Sequence, residues 1–248
     1  MTMTMGAVAA AAITGLADAA IIFFTDEALF NQALADAGKF FKGIEDFEQT
    51  LLTPGNPSSL VNDPLNINNL QGLFNPGDFI DNLTFQANTN GTLGVIDPGV
   101  NGPNPRGLDG MQLAIPLPPG IPFLNVGLQS VFGEDSLDII SGPPTGGNHT
   151  ALGMHVFIFA GQLFPLEVRV FDKNEQQVGF VTLPGVDLAG QFIGILATGG
   201  ETIGRVNLFN DAGTLEGVYD VQTYLIPAPS ALALLGLAGL LGVHRRRR

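Results

Sequence analysis

The segment Leu166-Glu167-Val168-Arg169-Val170 alternates strictly between apolar and charged residues, and that alternation constrains the fold more than any other feature. A period of two places one set of side chains inward and the other toward water, as in a half-buried strand. Asp172-Lys173-Asn174-Glu175 follows with turn chemistry, and Val178-Gly179-Phe180-Val181-Thr182-Leu183 returns, which predicts a β-hairpin. Upstream, Leu152 to Phe159 is apolar apart from His155, as expected of a strand buried between two sheets. Gln191–Ala197, Ile203–Phe209 and Val218–Leu225 supply three more strands at intervals of about 10–15 residues. Leu128 to Ile140 holds two short extended runs broken by Gly133-Glu134-Asp135. No alternation of strand and helix at roughly 30-residue intervals occurs, which excludes Rossmann and α/β-barrel folds. The expectation is a mainly β chain forming an antiparallel β-sandwich of jelly-roll or lectin-like kind.

The first half is less regular. Thr25 to Gly38 predicts a short helix, with Thr25 as its cap, Asp26 and Glu27 in the first turn, and Gly38 as its stop. Leu29, Phe30, Ala33, Leu34 and Ala37 form its apolar face. Gly43 to Glu48 reads as a strand, and so does Phe79 to Phe85. The stretches 53–78 and 97–122 are dense in Pro, Gly and Asn, the second with seven prolines. Proline has no ladder donor, so neither is a central strand.

Charge narrows the partners. The 248 residues carry 10 Lys+Arg against 23 Asp+Glu, a net of -13. Four of the ten are Arg245, Arg246, Arg247 and Arg248, so the rest of the chain sets 6 basic against 23 acidic residues, a net of -17. A body this acidic has no basic stripe for phosphates, which excludes nucleic acid as a partner. The absence of cysteine excludes disulfides, thiolate metal sites and cysteine nucleophiles.

The two ends differ from the body. At the N-terminus, Gly6 to Leu16 is apolar and closes on Ala17-Asp18-Ala19, a small-x-small pattern. It resembles a secretory signal peptide over residues 1–19, although no Lys or Arg precedes it. At the C-terminus, Pro227-Ala228-Pro229 precedes the 13 apolar residues Ala231 to Val243, and His244 and the four arginines follow. That apolar run is shorter than the roughly 20 residues that cross a bilayer comfortably, and the arginines would stop translocation on the cytoplasmic side.

The order of short motif, apolar helix and basic cluster over residues 226–248 resembles a PEP-CTERM sorting signal. Signals of that family are substrates of exosortase-type membrane transpeptidases. Here Pro227-Ala228-Pro229 departs from Pro-Glu-Pro at its middle residue. The resemblance implies a C-terminal apolar helix held transiently in the inner membrane, an exosortase-like partner enzyme, and release to the cell surface or matrix with exopolysaccharide. Residues 20–225 would be the exported domain. Loss of both ends would leave 6 basic and 22 acidic residues, a net of -16.

Catalytic signatures are sparse. His149 lies in a loop, His155 in an apolar strand and His244 in the tail, with no His-Glu-x-x-His run and no Gly-x-Ser-x-Gly elbow. Glu45, Asp46 and Glu48 near the start of the exported domain and Asp220 in the last strand are candidate ligands for a structural Ca²⁺, a hard cation that takes six to eight oxygens. This site requires the first and last strands to be neighbours. The expected function is a secreted surface protein without catalysis of its own. The alternatives are a lectin-like carbohydrate-binding module and a glycoside hydrolase using a carboxylate pair.

Overall fold

In the computed structural model the chain is mainly β, with two antiparallel sheets and, among the described residues, one α-helix. The structure describes residues 20–47, 49, 51, 58–61, 64–87, 92–96, 113–114, 125–126, 130–134, 136–142, 149–158, 163–187, 190–211 and 215–225. The first half contains β1 (Ala20–Phe24), α1 (Glu27–Asp36), β2 (Phe40–Glu45), β3 (Ser58–Val61), β4 (Leu65–Asn66), β5 (Leu83–Ala87), β6 (Thr92–Ile96), β7 (Leu113–Ala114) and β8 (Asn125–Val126). The second half contains β9 (Ser130–Glu134), β10 (Ser136–Ser141), β11 (Ala151–Ile158), β12 (Phe164–Phe171), β13 (Gln177–Val186), β14 (Gln191–Thr198), β15 (Arg205–Phe209) and β16 (Leu215–Leu225).

The larger sheet runs β1-β14-β11-β16-β9-β6-β3, and β2 pairs with β16 further along the edge that β9 occupies. The six-stranded sheet runs β13-β12-β15-β10-β5-β4, and β7 pairs only with β8. Both sheets feed one core. Leu152, Met154, Val156, Ile193, Ile195, Val218 and Val221 come from the larger sheet, and Leu137, Ile139, Val168, Val170, Val206 and Leu208 from the smaller. The predicted hairpin is β12–β13. Asp172 closes it: its Oδ1 accepts from the N–H of Asn174 (2.8 Å) and of Gln176 (2.9 Å), and Glu175 takes a left-handed φ of 61°. The interruption predicted at 133–135 is where the chain changes sheets, since β9 lies in the larger and β10 in the smaller. The strands found within the proline-rich stretches, β3, β4 and β7, lie at sheet edges or in the two-stranded ribbon.

Helix α1 covers the outer face of the larger sheet. Asp26, not Thr25, caps it, its Oδ1 accepting from Leu29 N–H at 3.0 Å. The carboxylate is the better acceptor and is already extended at φ -117°, ψ 118°. Gly38 ends the helix at φ 61°, where its N–H donates to the Ala35 carbonyl. Phe30 and Leu34 are buried, whereas Leu29 is 62% exposed, so the apolar face is narrower than predicted. Phe30 sits in a seat made by two glycines directly opposite each other, Gly153 and Gly194. A Cβ on Gly194 would lie 2.5 Å from the Phe30 ring, and one on Gly153 2.8 Å. Rings continue on both sides of it: Phe192 at 5.7 Å, Tyr224 at 5.7 Å and Phe24 at 5.6 Å.

Two other boundaries move. The strand predicted at 43–48 is β2, which starts earlier, at Phe40, and ends at Glu45. The strand predicted at 79–85 begins only at Leu83, because Phe79 and Ile80 are held in a turn by the aromatic cluster of Phe47, Phe74 and Phe85 and by Glu45. The predicted signal peptide (1–19) and tail (226–248) lie outside the described residues. Among the described residues no helix is long and apolar enough to cross a membrane.

Candidate functional site

The richest array of polar chemistry lies on the outer face of the six-stranded sheet. Leu166, Val168 and Val170 of β12 and Val206 and Leu208 of β15 are fully buried toward the core. The alternate residues Glu167, Arg169, Phe171, Arg205, Asn207 and Phe209 therefore face out. Register sets Phe180, Arg169, Asn207, Asp138 and Gln86 side by side across β13, β12, β15, β10 and β5.

The charges in this row are satisfied internally. Asp138 Oδ1 accepts from Arg205 Nη1 at 2.9 Å and from Asn207 Nδ2 at 2.8 Å. Arg205 also reaches Glu175 (Nη2 to Oε2, 2.7 Å) and lies flat over the Phe171 ring at 3.8 Å. Arg169 pairs with Glu167 at 2.6 Å and lies over Phe209 at 4.1 Å. Burial pushes the Asp138 carboxyl up, against the opposing pull of Asn207 and Arg205. Burial alone would lower Arg205, but Glu175 and Asp138 more than offset it and its pKa is raised. What reaches solvent is part of the Arg169 and Arg205 side chains, the exposed Gln86 and one large ring, Phe180, which is 61% exposed, while Asn207 and Asp138 are buried. Such a surface suits a neutral ligand with apolar faces and hydroxyl edges better than an ion.

Of the predicted Ca²⁺ ligands, Glu45, Asp46 and Asp220 are among the described residues. β2 and β16 are neighbours, as that site requires, with Glu45 directly opposite Val221. Glu45 is 1% exposed and turned into the core, where its oxygens accept from Phe47 N–H (3.0 Å) and Ile80 N–H (2.9 Å). Burial raises its pKa to about 7, with Asp46 and Asp78 adding to the rise and the two N–H donors opposing it. Asp220 occupies a bulge at φ 53°, beside His155 at 3.8 Å. Asp46 is half-buried next to Glu45, and Glu48 lies outside the described residues. Among the described residues no group of three or more His, Asp and Glu could hold a metal.

His149 and His155, read in the sequence as a loop residue and a strand residue, take settings whose partners the sequence does not show. His149 is fully buried, with Nδ1 2.6 Å from Ser141 Oγ, and its Nε2 has no hydrogen-bond partner among the described residues. Burial, with Lys42 nearby, lowers its pKa to about 4, so the ring is neutral and its tautomer sets which way the bond to the Ser141 hydroxyl runs. His155 lies flat on Tyr219 at 4.7 Å and meets Phe192 edge-on at 5.5 Å. Strand alternation alone could have placed His155 outward, opposite the inward Met154 and Val156. No family model matches the chain, and no curated protein matches it.

Proposed function

We propose that the chain is an exported envelope or matrix protein, sorted through its C-terminal signal by an exosortase-like membrane enzyme and without catalysis of its own. In this reading the two sheets, sharing one core, are a β-sandwich of jelly-roll or lectin-like kind that serves as the cargo. The observation that carries it is where the strands begin and end. β1 opens at Ala20, immediately after Ala17-Asp18-Ala19, and β16 closes at Leu225, two residues before Pro227. Both terminal strands pair within the larger sheet, β1 with β14 and β16 with β11 and β2, so a core can form without either end. The chain contributes the recognised Pro227-Ala228-Pro229, the apolar helix and the stop at Arg245, Arg246, Arg247 and Arg248, while transpeptidation belongs to the partner. Intact mass of the protein from its native host is the test. A product lacking both ends is expected, and replacing the four arginines by glutamine should change fractionation and mature mass. Full-length mass in the envelope would refute it.

A carbohydrate-binding role is the second reading, favoured by the Phe180-Arg169-Asn207-Asp138-Gln86 row. Its test is a polysaccharide pull-down with Phe180→Ala, which should lose retention while the fold, read by circular dichroism, is unchanged.

A further inference from the structure

We propose that the Lys39–Lys42 end of β2 is a lipid-docking edge that rests on an anionic bilayer surface while the C-terminal segment is inserted. The inference deepens the sorting reading and rests on residues 231–243 entering the membrane.

Four observations converge on this edge. It reads Lys39-Phe40-Phe41-Lys42, two lysines bracketing two aromatic rings in a chain with few basic residues. The rings are not taken into the core: Phe40 is 45% exposed, Phe41 53%, and Ile44 of the same strand 40%. Among the described residues β2 pairs on one side only, with β16. Finally, register fixes this edge at the exit of the folded chain. Phe40 lies opposite Leu225 and Phe41 opposite Tyr224, whose ring Phe41 meets at 5.6 Å.

Ala231, where the apolar sequence begins, is six positions beyond Leu225. A fully extended chain spans at most about 20 Å over that length. If 231–243 enters a bilayer, Phe40 and Phe41 are held within that distance of the headgroups. Aromatic rings prefer the membrane–water interface, and lysines gain from anionic headgroups. Glu45, the carboxylate ending the same strand, is buried in the core and does not oppose the lysines. The acidic body is repelled by the same surface, so the edge would orient the domain with β2 down and the Pro227-Ala228-Pro229 peptide at headgroup depth.

The absence of tryptophan makes the test direct. Full-length Phe41→Trp and Leu237→Trp are each reconstituted with phosphatidylcholine vesicles, with and without phosphatidylglycerol. Phe40→Trp provides a second probe should the first not fold. The inference expects a blue-shifted, lipid-quenchable indole at position 41 on phosphatidylglycerol vesicles. Lys39→Gln with Lys42→Gln should weaken that response on the order of fivefold per lysine. A buried indole at position 237 with a water-like one at 41 overturns the edge and leaves the tail reading intact. Burial at 41 but not at 237 removes the tail reading and overturns the edge as a companion to tail insertion, leaving a lipid contact that the edge makes by itself. Water-like emission at both positions overturns both.

Discussion

Two buried ionisable groups should pull the stability of this protein in opposite directions with pH, and their separation is measurable. Glu45 has its pKa raised from 4.5 to about 7. The folded state therefore keeps a proton that the unfolded chain loses near 4.5. The stabilisation is complete below pH 4.5 and is lost as pH rises through 7. At about 1.4 kcal/mol per pKa unit this amounts to roughly 3 kcal/mol. His149 has its pKa lowered from 6.5 to about 4. Its stabilisation is complete above pH 6.5 and is lost as pH falls through 4, again by about 3 kcal/mol. Between pH 4.5 and 6.5 the two slopes cancel, and their joint contribution to wild-type stability is nearly flat. Glu45→Gln removes the falling slope, so stability relative to wild type should climb by about 3 kcal/mol from pH 4.5 to 7. The lost acceptor toward Phe47 or Ile80 adds a constant cost of about 1–3 kcal/mol that does not vary with pH. His149→Asn removes the rising slope, so its stability relative to wild type should fall by about 3 kcal/mol as pH rises from 4 to 6.5. Urea unfolding by far-ultraviolet circular dichroism at four pH values reads both. A Glu45→Gln curve parallel to wild type would refute the burial argument for Glu45.

Gly194→Ala should displace the Phe30 ring and cost about 1–3 kcal/mol, seen as a lower thermal midpoint. Combined with Phe30→Leu its cost should be smaller than when made alone, because the seat then holds a different side chain. Arg205→Lys loses the fork between Asp138 and Glu175 and the stack on Phe171, and should cost about 1–2 kcal/mol in urea titration. Adding Asp138→Asn should recover part of that loss, since the buried charge is removed. Asp26→Ala should cost about 1 kcal/mol, while Thr25→Ala should cost less, which distinguishes the observed cap from the one expected in the sequence.

The second half of the fold was legible because its signals are local. β12 alternates, Asp172 forms its own turn, and β11 and β14 are mostly apolar and buried along their length. The first half was not, because its boundaries are set by distant partners. β2 starts at Phe40 because Leu225 lies opposite, and Phe79–Ile80 turn because Glu45 receives the Ile80 N–H from 35 residues away. The outer-face row is harder still. Asp138 meets Arg205 and Asn207 across separations of 67 and 69 residues, and only the pairing of β10 with β15 reveals it. Glu45 was read as a candidate Ca²⁺ ligand, whereas its oxygens accept from Phe47 and Ile80 N–H inside the core. An acidic residue in a sequence gives no sign of the face it will occupy, and a strand starting three residues earlier does not change that face, since only its own partner, Val221, decides it.

The paired charges on the six-stranded sheet and the half-buried Lys39 and Lys42 beside the exposed rings of β2 assign different work to the few cations of this acidic body. Arg169 and Arg205 are spent within the fold, each between a carboxylate and a ring, so salt should barely affect what that face binds. Lys39 and Lys42 flank exposed rings on a strand that, among the described residues, pairs on one side only, so attraction of an external anion there falls steeply with ionic strength. Raising salt therefore separates the two surfaces in one preparation. Polysaccharide retention through Phe180 should persist at about 1 M salt, where the Debye length is about 3 Å, while the vesicle response of an indole at position 41 should collapse toward that of neutral lipid. Polysaccharide retention lost in parallel with the vesicle response would mean that the ligand is held by charge, and would exclude the neutral polyol that the satisfied Asp138–Arg205–Glu175 network favours.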